Sequence, residues 1–292
     1  MYRRLLTIAP VCALAASITT SAFAQPSSTM KADYAPVNGL QVYYEVHGQG
    51  KPMILLHGGI TATEGLMGNI TALAKTRQVI ALHAQGHGHT ADIDRPYRFE
   101  SLADDVAAVV KHLKLPNVDI VGYSFGGSIA LQTAIRHPDL VDRLVVIAAP
   151  MKSGAFYPEV MTAFEQMPKN AAEIAASIKA SPLATMYPKT NWEASFRKVG
   201  ELASVPYDWT KQVEGIRAPT LLMFADADAI RLDHIAAFYH ALGGGRRDAG
   251  HDGSLRASAQ LAIVPGTTHR DLVGNPALGS IVEAFLSQKS AR

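Results

Sequence analysis

The chain has 292 residues, 48% of them hydrophobic and 18% charged, with a formal net charge of +2. Such a sequence can bury a large core in one domain, with room for a smaller inserted subdomain. The near balance of charge excludes the basic face that nucleic-acid binding requires.

Arg3 and Arg4 account for that excess charge and open a segment that reads as a secretory signal over 1–24. An apolar stretch over 5–18 follows them, and Ala22-Phe23-Ala24 supplies an A-x-A cleavage site before Gln25. The apolar run is shorter than the roughly 20 residues that a helix needs to span a bilayer, so no stable membrane anchor is expected once the signal is removed. Arg3-Arg4 is similar to the start of a twin-arginine signal, but the rest of that motif is weak and general secretion is the better reading. The mature protein is expected to be periplasmic or secreted. Cys12 is the only cysteine; it lies in the leader, and Ala9-Pro10-Val11 before it does not form a lipoprotein box. The mature chain would have neither a thiol nor a disulfide, so its stability must come from the core.

Beyond the leader, Asn38-Gly39 followed by period-two alternation over 40–46 predicts an antiparallel hairpin. Strand-type and helix-type runs then alternate: strand 53–56, helix 64–75, strand 78–82, helix 101–113, strand 118–121, helix 128–137 and strand 144–148. That order predicts an α/β core with a mostly parallel, doubly wound sheet. Over 151–215 the strand signal stops. Helix formers, methionines and aromatics, among them Trp192 and Trp209, predict a helical cap inserted into a core made of 25–150 and 216–292. Taken singly, each of these side chains is better read as fastening the cap to the core. Collectively they favour a lid over a substrate with a hydrophobic portion. The core resumes with strand 220–224, helix 232–242, strand 261–264 and helix 277–287.

Between the strand at 118–121 and the helix that follows lies Gly122-Tyr123-Ser124-Phe125-Gly126. A serine on a sharp strand-to-helix turn projects its hydroxyl above the sheet edge, and the flanking glycines leave room where larger side chains would strike the neighbouring strand and helix. A serine hydroxyl is a poor nucleophile at neutral pH; it needs a histidine to take its proton and a carboxylate to fix that histidine's tautomer. Both should sit beyond the C-terminal ends of core strands. His269 does, after strand 261–264 and a turn at Pro265-Gly266. The other histidines end earlier strands (His57, His83), lie in a Gly-rich loop (His87, His89) or fall on helix-like runs. For the acid, Asp226 and Asp228 both follow strand 220–224. Ala148-Ala149-Pro150-Met151, after the preceding strand, offers no carboxylate.

With these residues in order, the chain resembles the α/β-hydrolase superfamily over nearly all of its mature length. The resemblance implies the α/β-hydrolase fold with a helical cap and a triad in the order Ser124, Asp228, His269. Ala225-Asp226-Ala227-Asp228 is similar to the family's G-x-x-D stretch with alanine for glycine, which favours Asp228 over Asp226. His57-Gly58-Gly59 resembles the H-G oxyanion loop, which implies backbone N–H donors from Phe125 and Gly59, with Ile60 as the substitute for Gly59. His57 itself is read as structural. Where the family commonly has D-x-x-G-x-G-x-S/T, this chain has His83-Ala84-Gln85-Gly86-His87-Gly88-His89-Thr90. No carboxylate or cysteine accompanies His83, His87 and His89 in a familiar metal spacing. Gly243-Gly244-Gly245, leading from a helix into a strand, is read as a flexible loop remote from the site rather than a phosphate cradle.

The expected chemistry is acyl transfer from a small-molecule ester or lactone to water, with no metal or organic cofactor. A serine nucleophile argues against the dehalogenases and epoxide hydrolases that resemble this fold and use an aspartate at the elbow. Gly58-Gly59-Ile60-Thr61 also lacks the proline of perhydrolases and the G-P-G of typical carbon–carbon bond hydrolases. Carbon–carbon or amide hydrolysis, and a non-catalytic hydrolase-like ligand-binding protein, stay open as alternatives.

Overall fold

A computed structural model of the chain describes residues 30–288. The signal expected over 1–24 lies outside them, and no helix among the described residues is long and apolar enough to cross a membrane. Strands β1 (Lys31–Val37) and β2 (Leu40–His47) form the opening hairpin, with positive φ at both Asn38 and Gly39, the turn geometry whose twist matches its flanking strands. Then follow β3 (Lys51–Leu56), α1 (Met67–Leu73), β4 (Arg77–Leu82), α2 (Phe99–His112), β5 (Val118–Tyr123), α3 (Phe125–Arg136) and β6 (Val141–Ile147). Five helices come next: α4 (Pro158–Gln166), α5 (Ala171–Lys179), α6 (Pro182–Met186), α7 (Trp192–Ala203) and α8 (Thr210–Glu214). The chain closes with β7 (Thr220–Ala227), α9 (Leu232–Ala241), β8 (Ala259–Thr268) and α10 (Pro276–Leu286).

The strands form one sheet of eight in the order β1-β2-β4-β3-β5-β6-β7-β8. All neighbours from β4 to β8 are parallel, and only the β1–β2 and β2–β4 pairs are antiparallel. Strand side chains alternate between two cores. Ile54, Ile120, Leu144 and Leu222 face α2 and α3 on one side, whereas Met53, Val121, Val145 and Leu221 face α1 and α10 on the other. With both faces covered, the central strands read as unbroken apolar runs rather than as alternating ones.

Several boundaries differ from expectation for local reasons. Helix α3 begins at Phe125, immediately after Ser124, instead of at 128. Strand β8 does not end at Val264; it runs through Pro265-Gly266 to Thr268, with a register irregularity against β7 between Ala225 and Ala227. Gly243 and Gly244 are not a free loop. Their N–H groups donate to the His240 and Tyr239 carbonyls, a Schellman cap that satisfies the end of α9. Trp209 and Tyr207 stack on each other and edge onto Phe99 in the main core, while Trp192, Phe196 and Tyr187 form a separate cluster that includes Ala62 of the loop after β3. The aromatics of the insertion are therefore divided between two clusters, each of which reaches the core.

Beyond the C-terminal ends of β3 and β4, three buried histidines lace the loops together. His57 Nε2 accepts the Ala84 N–H at 3.1 Å, so its Nδ1 carries the proton and donates to the Gly58 carbonyl at 2.6 Å. His83 Nδ1 accepts the His89 N–H at 2.9 Å, and His87 Nδ1 donates to the Gln85 carbonyl at 2.8 Å. Burial holds the His57 and His87 imidazoles far below the ordinary histidine range, at about 3 and about 4, and burial beside the other histidines pushes His83 down in the same way. In the unfolded chain the same rings take up protons below pH of about 6.5. The unfolded state therefore binds more protons, and stability that is complete above that pH is lost as pH falls through 6 and 5 toward 4. Each ring is expected to remove about 1.4 kcal/mol per pH unit in this window. Urea midpoints measured between pH 7 and pH 5 should fall steeply, and His87→Phe, which keeps the stacking on Phe125, should flatten the slope.

Candidate active site

Ser124 sits where β5 gives way to α3 with φ 53° and ψ −115°, a left-handed conformation that costs a non-glycine residue about 1–3 kcal/mol unless its surroundings impose it. Here they do. The Ser124 N–H donates to the Ile147 carbonyl at 2.8 Å. A Cβ on Gly122 would collide with the Gly126 carbonyl, one on Gly126 would collide with the Leu56 and His57 carbonyls, and one on Gly127 would come within 2.6 Å of the Ala149 side chain. The three glycines thus let α3 start directly over the strand ends.

The residues singled out from the sequence come together at this point. Ser124 Oγ lies 3.0 Å from His269 Nε2, and His269 Nδ1 lies 2.8 Å from Asp228 Oδ1. The Asp228 side chain is almost wholly buried, at 1% exposure against 25% for His269. It also accepts the Ala225 and Ile230 N–H groups at 3.1 and 3.2 Å, so both carboxylate oxygens are occupied and the group is fixed in orientation. Asp226 points elsewhere. It accepts the Gly266 and Thr267 N–H groups, each at 3.0 Å, and these bonds hold its exposed carboxyl below the usual range. It clasps the irregular part of β8, and so helps set the height at which His269 leaves the strand.

On the far side of Ser124, Phe125 is the first residue of α3, so its N–H has no partner within the helix. Gly59 is packed beside it: a Cβ on Gly59 would lie 3.5 Å from the Phe125 Cβ and 3.7 Å from Val199 of α7. The adjacent Ile60 has φ 70°, an outlier for a β-branched side chain. The His57 Nδ1–H bond to the Gly58 carbonyl fixes the peptide unit whose other end is the Gly59 N–H, and so aims that donor. His57, His83 and His87 hydrogen-bond to backbone groups of the loops around the site. Among the described residues no group of three or more His, Cys, Asp or Glu is arranged to hold one.

Sequence reading missed several participants. The Tyr123 hydroxyl donates to the His269 carbonyl at 2.7 Å, pinning the histidine's loop to the elbow strand; burial and the charge of Asp228 raise its pKa. Tyr123 lies inside the elbow motif, but nothing local says that it reaches across to β8. Tyr187 donates to Glu64 at 2.8 Å, and Glu64 also accepts the Ala62 N–H at 2.9 Å. A cleft of about 230 Å³ beside Asp142 and Arg217 lies at the opposite, N-terminal ends of β6 and β7 and contains none of these groups.

Residues 51–197 match the family model described as alpha/beta hydrolase fold. The chain is 36% identical over 115 residues to a 2-hydroxymuconate semialdehyde hydrolase of Pseudomonas sp. (strain CF600), covering 38% of this chain and 41% of that protein. It is 33% identical over 127 residues to a soluble epoxide hydrolase of Corynebacterium sp. (strain C12), covering 42% and 44%. The match thus spans less than half the length of either relative. Among solved structures, the enol-lactonase from Burkholderia xenovorans LB400 superposes with a TM-score of 0.70 at 21% identity, covering 87% of this chain and 100% of that one, a likeness of fold. On the family match and the fold together, the chain belongs to the alpha/beta hydrolase fold family.

Proposed function

We propose that this protein is a serine hydrolase that cleaves carboxylic esters or lactones through an acyl-enzyme. The observation that carries the reading is the continuous line Asp228–His269–Ser124, with 2.8 and 3.0 Å between successive partners. His269 Nε2 takes the Ser124 proton as Oγ attacks the substrate carbonyl, and the Phe125 and Gly59 N–H groups receive the negative charge that develops on its oxygen. The tetrahedral intermediate collapses, the C–O bond to the alcohol breaks, and the protonated His269 returns its proton to that alcohol. Water, deprotonated by the same imidazole, then attacks the acyl-enzyme and releases the carboxylic acid and the free serine. Asp228 holds Nδ1–H toward itself and so leaves Nε2 free to accept the proton. None of these steps requires a metal or organic cofactor.

The helical insertion is proposed to cap the site. Its apolar cluster around Trp192 and Phe196, against which Met167 and Met186 pack, favours a substrate with a hydrophobic portion. The leader at 1–24 is proposed to export the enzyme to the periplasm or beyond. A second reading, carbon–carbon bond hydrolysis, is favoured by the similarity to the semialdehyde hydrolase. Against it stands Gly58-Gly59-Ile60-Thr61, which does not have the G-P-G of typical enzymes of that class. Epoxide opening is disfavoured by the serine at the elbow.

Hydrolysis of p-nitrophenyl esters from acetate to octanoate, a set of small lactones and a vinylogous 1,5-diketone should separate these readings. Ester or lactone turnover that disappears in Ser124→Ala is the expected result, and turnover of the diketone alone would overturn the ester reading. Asp228→Asn should lower kcat by about 10³–10⁴-fold through loss of the correct tautomer. Asp226→Asn should leave kcat nearly unchanged and reduce thermal stability instead; a large kcat loss there would mean that the acid had been misassigned. Covalent labelling of Ser124 by an organophosphonate is expected as well, and a folded protein inert to it would favour a binding role.

A further inference from the structure

Ser124 and His269 follow strands that are not neighbours. In the sheet, β6 and β7 stand between β5 and β8, and at about 4.8 Å per strand the two strand ends lie about 14 Å apart. Two of the three intervening pairings carry a register irregularity, between Val118 and Asp119 in one and between Ala225 and Ala227 in the other. Adding such steps would be a loose way to set the 3.0 Å between Ser124 Oγ and His269 Nε2. Tyr123 supplies a direct tie. Its hydroxyl donates to the carbonyl of His269 itself at 2.7 Å, and the two ring centroids are 5.6 Å apart. The tyrosine is 9% exposed and belongs to the core cluster of Val121, Ile147 and Leu272, so its ring has a fixed seat. Burial, and then the charge of Asp228, raise the pKa of the hydroxyl, which keeps its proton available for donation. Asp228 fixes the imidazole at Nδ1, and Asp226 holds the Gly266 and Thr267 N–H groups. Neither engages the peptide that follows the His269 Cα, and Tyr123 does.

Building on the acyl-transfer reading above, we infer that Tyr123 is a positioning residue: its hydroxyl ties the backbone of the base to the residue before the nucleophile, so that the Ser124–His269 distance is set across one side chain rather than across three strand-to-strand steps. The circuit is short. Ser124 meets the His269 imidazole, the His269 carbonyl meets the Tyr123 hydroxyl, and Tyr123 joins Ser124 through a peptide bond. Displacement of β8 against β5 is then absorbed in the strands between them and not in the bond along which the proton moves. Tyr123 carries no step of the reaction; its effect on turnover runs through His269.

The test is Tyr123→Phe, which keeps the ring and removes only the donor, made in the wild type and in a His269→Ala background. With a p-nitrophenyl ester, kcat of the single variant should fall about tenfold, between the worth of one net hydrogen bond and the about 10²-fold that a 1 Å misplacement can cost, while KM changes little. The rate of Ser124 labelling by an organophosphonate, which needs the same proton transfer to His269, should fall by the same factor. In the His269→Ala background the residual turnover should not respond to Tyr123→Phe, because no imidazole is left to misplace. A merely structural tyrosine would lower turnover alike in both backgrounds, or would lower thermal stability alone. If Tyr123→Phe does not yield folded protein by circular dichroism, Tyr123→His poses the same question in the same two backgrounds, since its ring is polar but too short to replace the direct bond. An active wild type whose variant keeps full kcat, or loses it equally with and without His269, overturns the inference alone. A wild type inert toward esters, lactones and organophosphonate overturns the acyl-transfer reading and this inference with it.

Discussion

The close packing of α3 onto the ends of β3, β5 and β6 is the constraint from which the rest of the site follows. Ser124 cannot relax from φ 53° without lifting the helix, and the helix is anchored by Ile129, Leu131 and Ala134, each buried to 3% exposure or less. Burying one large aliphatic side chain is worth about 1.5–3 kcal/mol, so two of them exceed the strain of about 1–3 kcal/mol that they hold in place. The strain stays local because its counterweight is the same helix. That helix also directs its first N–H groups at the space above Ser124, where negative charge is favoured by the unpaired donors and by the helix dipole.

The seam between insertion and core is more polar than the composition of 151–215 suggests. Lys198 donates to Asp92 and to the Ile93 and Arg95 carbonyls, Ser195 to the Gly86 carbonyl, and Thr190 to the Gly88 carbonyl. All of these acceptors lie on the Gly-rich loop after β4 and the turn that follows it. An apolar contact can slide, whereas a lysine head at 10% side-chain exposure with three acceptors has one position in which its desolvation is offset. The insertion is therefore indexed to the loop, and through the Tyr187–Glu64 hydrogen bond to the neighbouring segment after β3. His83, standing where the family commonly has an acid, takes part in this indexing: it accepts the His89 N–H, and its ring lies against Tyr43 and Tyr187.

The sheet, its parallel order and the elbow were legible because they rest on signals a few residues long: unbroken apolar runs, the Asn38-Gly39 turn, and glycines spaced around Ser124. His269 was legible from its place after a strand. Choosing between Asp226 and Asp228 was harder from residues alone, since both follow β7, and what separates them is a fold-level fact: the irregular pairing of β7 with β8 turns one toward the Gly266 backbone and the other toward the imidazole. Ile60 gave no warning of its positive φ, and its side chain packs against clusters drawn from distant parts of the chain. The division of labour between Trp192 and Trp209 was equally hidden, since composition assigns both to the insertion but not to the side of it on which each ring lands.

Charge is distributed unevenly along the strands, and the pattern suits the chemistry proposed. At their N-terminal ends Arg77 is paired with Asp119 and Glu283, and Lys51 with Asp119 and Asp142. At their C-terminal ends His57, His83 and His87 are imidazoles held neutral by burial, and the one buried lysine among the described residues, Lys198, is paired with Asp92. A fixed cation beside Ser124 would stabilise the ground state of any polar substrate as well as the oxyanion, and it would oppose the positive charge that His269 must acquire. Neutral rings avoid both effects. The field at the proposed hole then comes from backbone dipoles with fixed orientation, which discriminate the tetrahedral oxygen from the planar carbonyl by position rather than by charge. Discrimination by position tolerates little backbone displacement, which gives a physical reason for the His57 tether on the peptide that carries the Gly59 N–H.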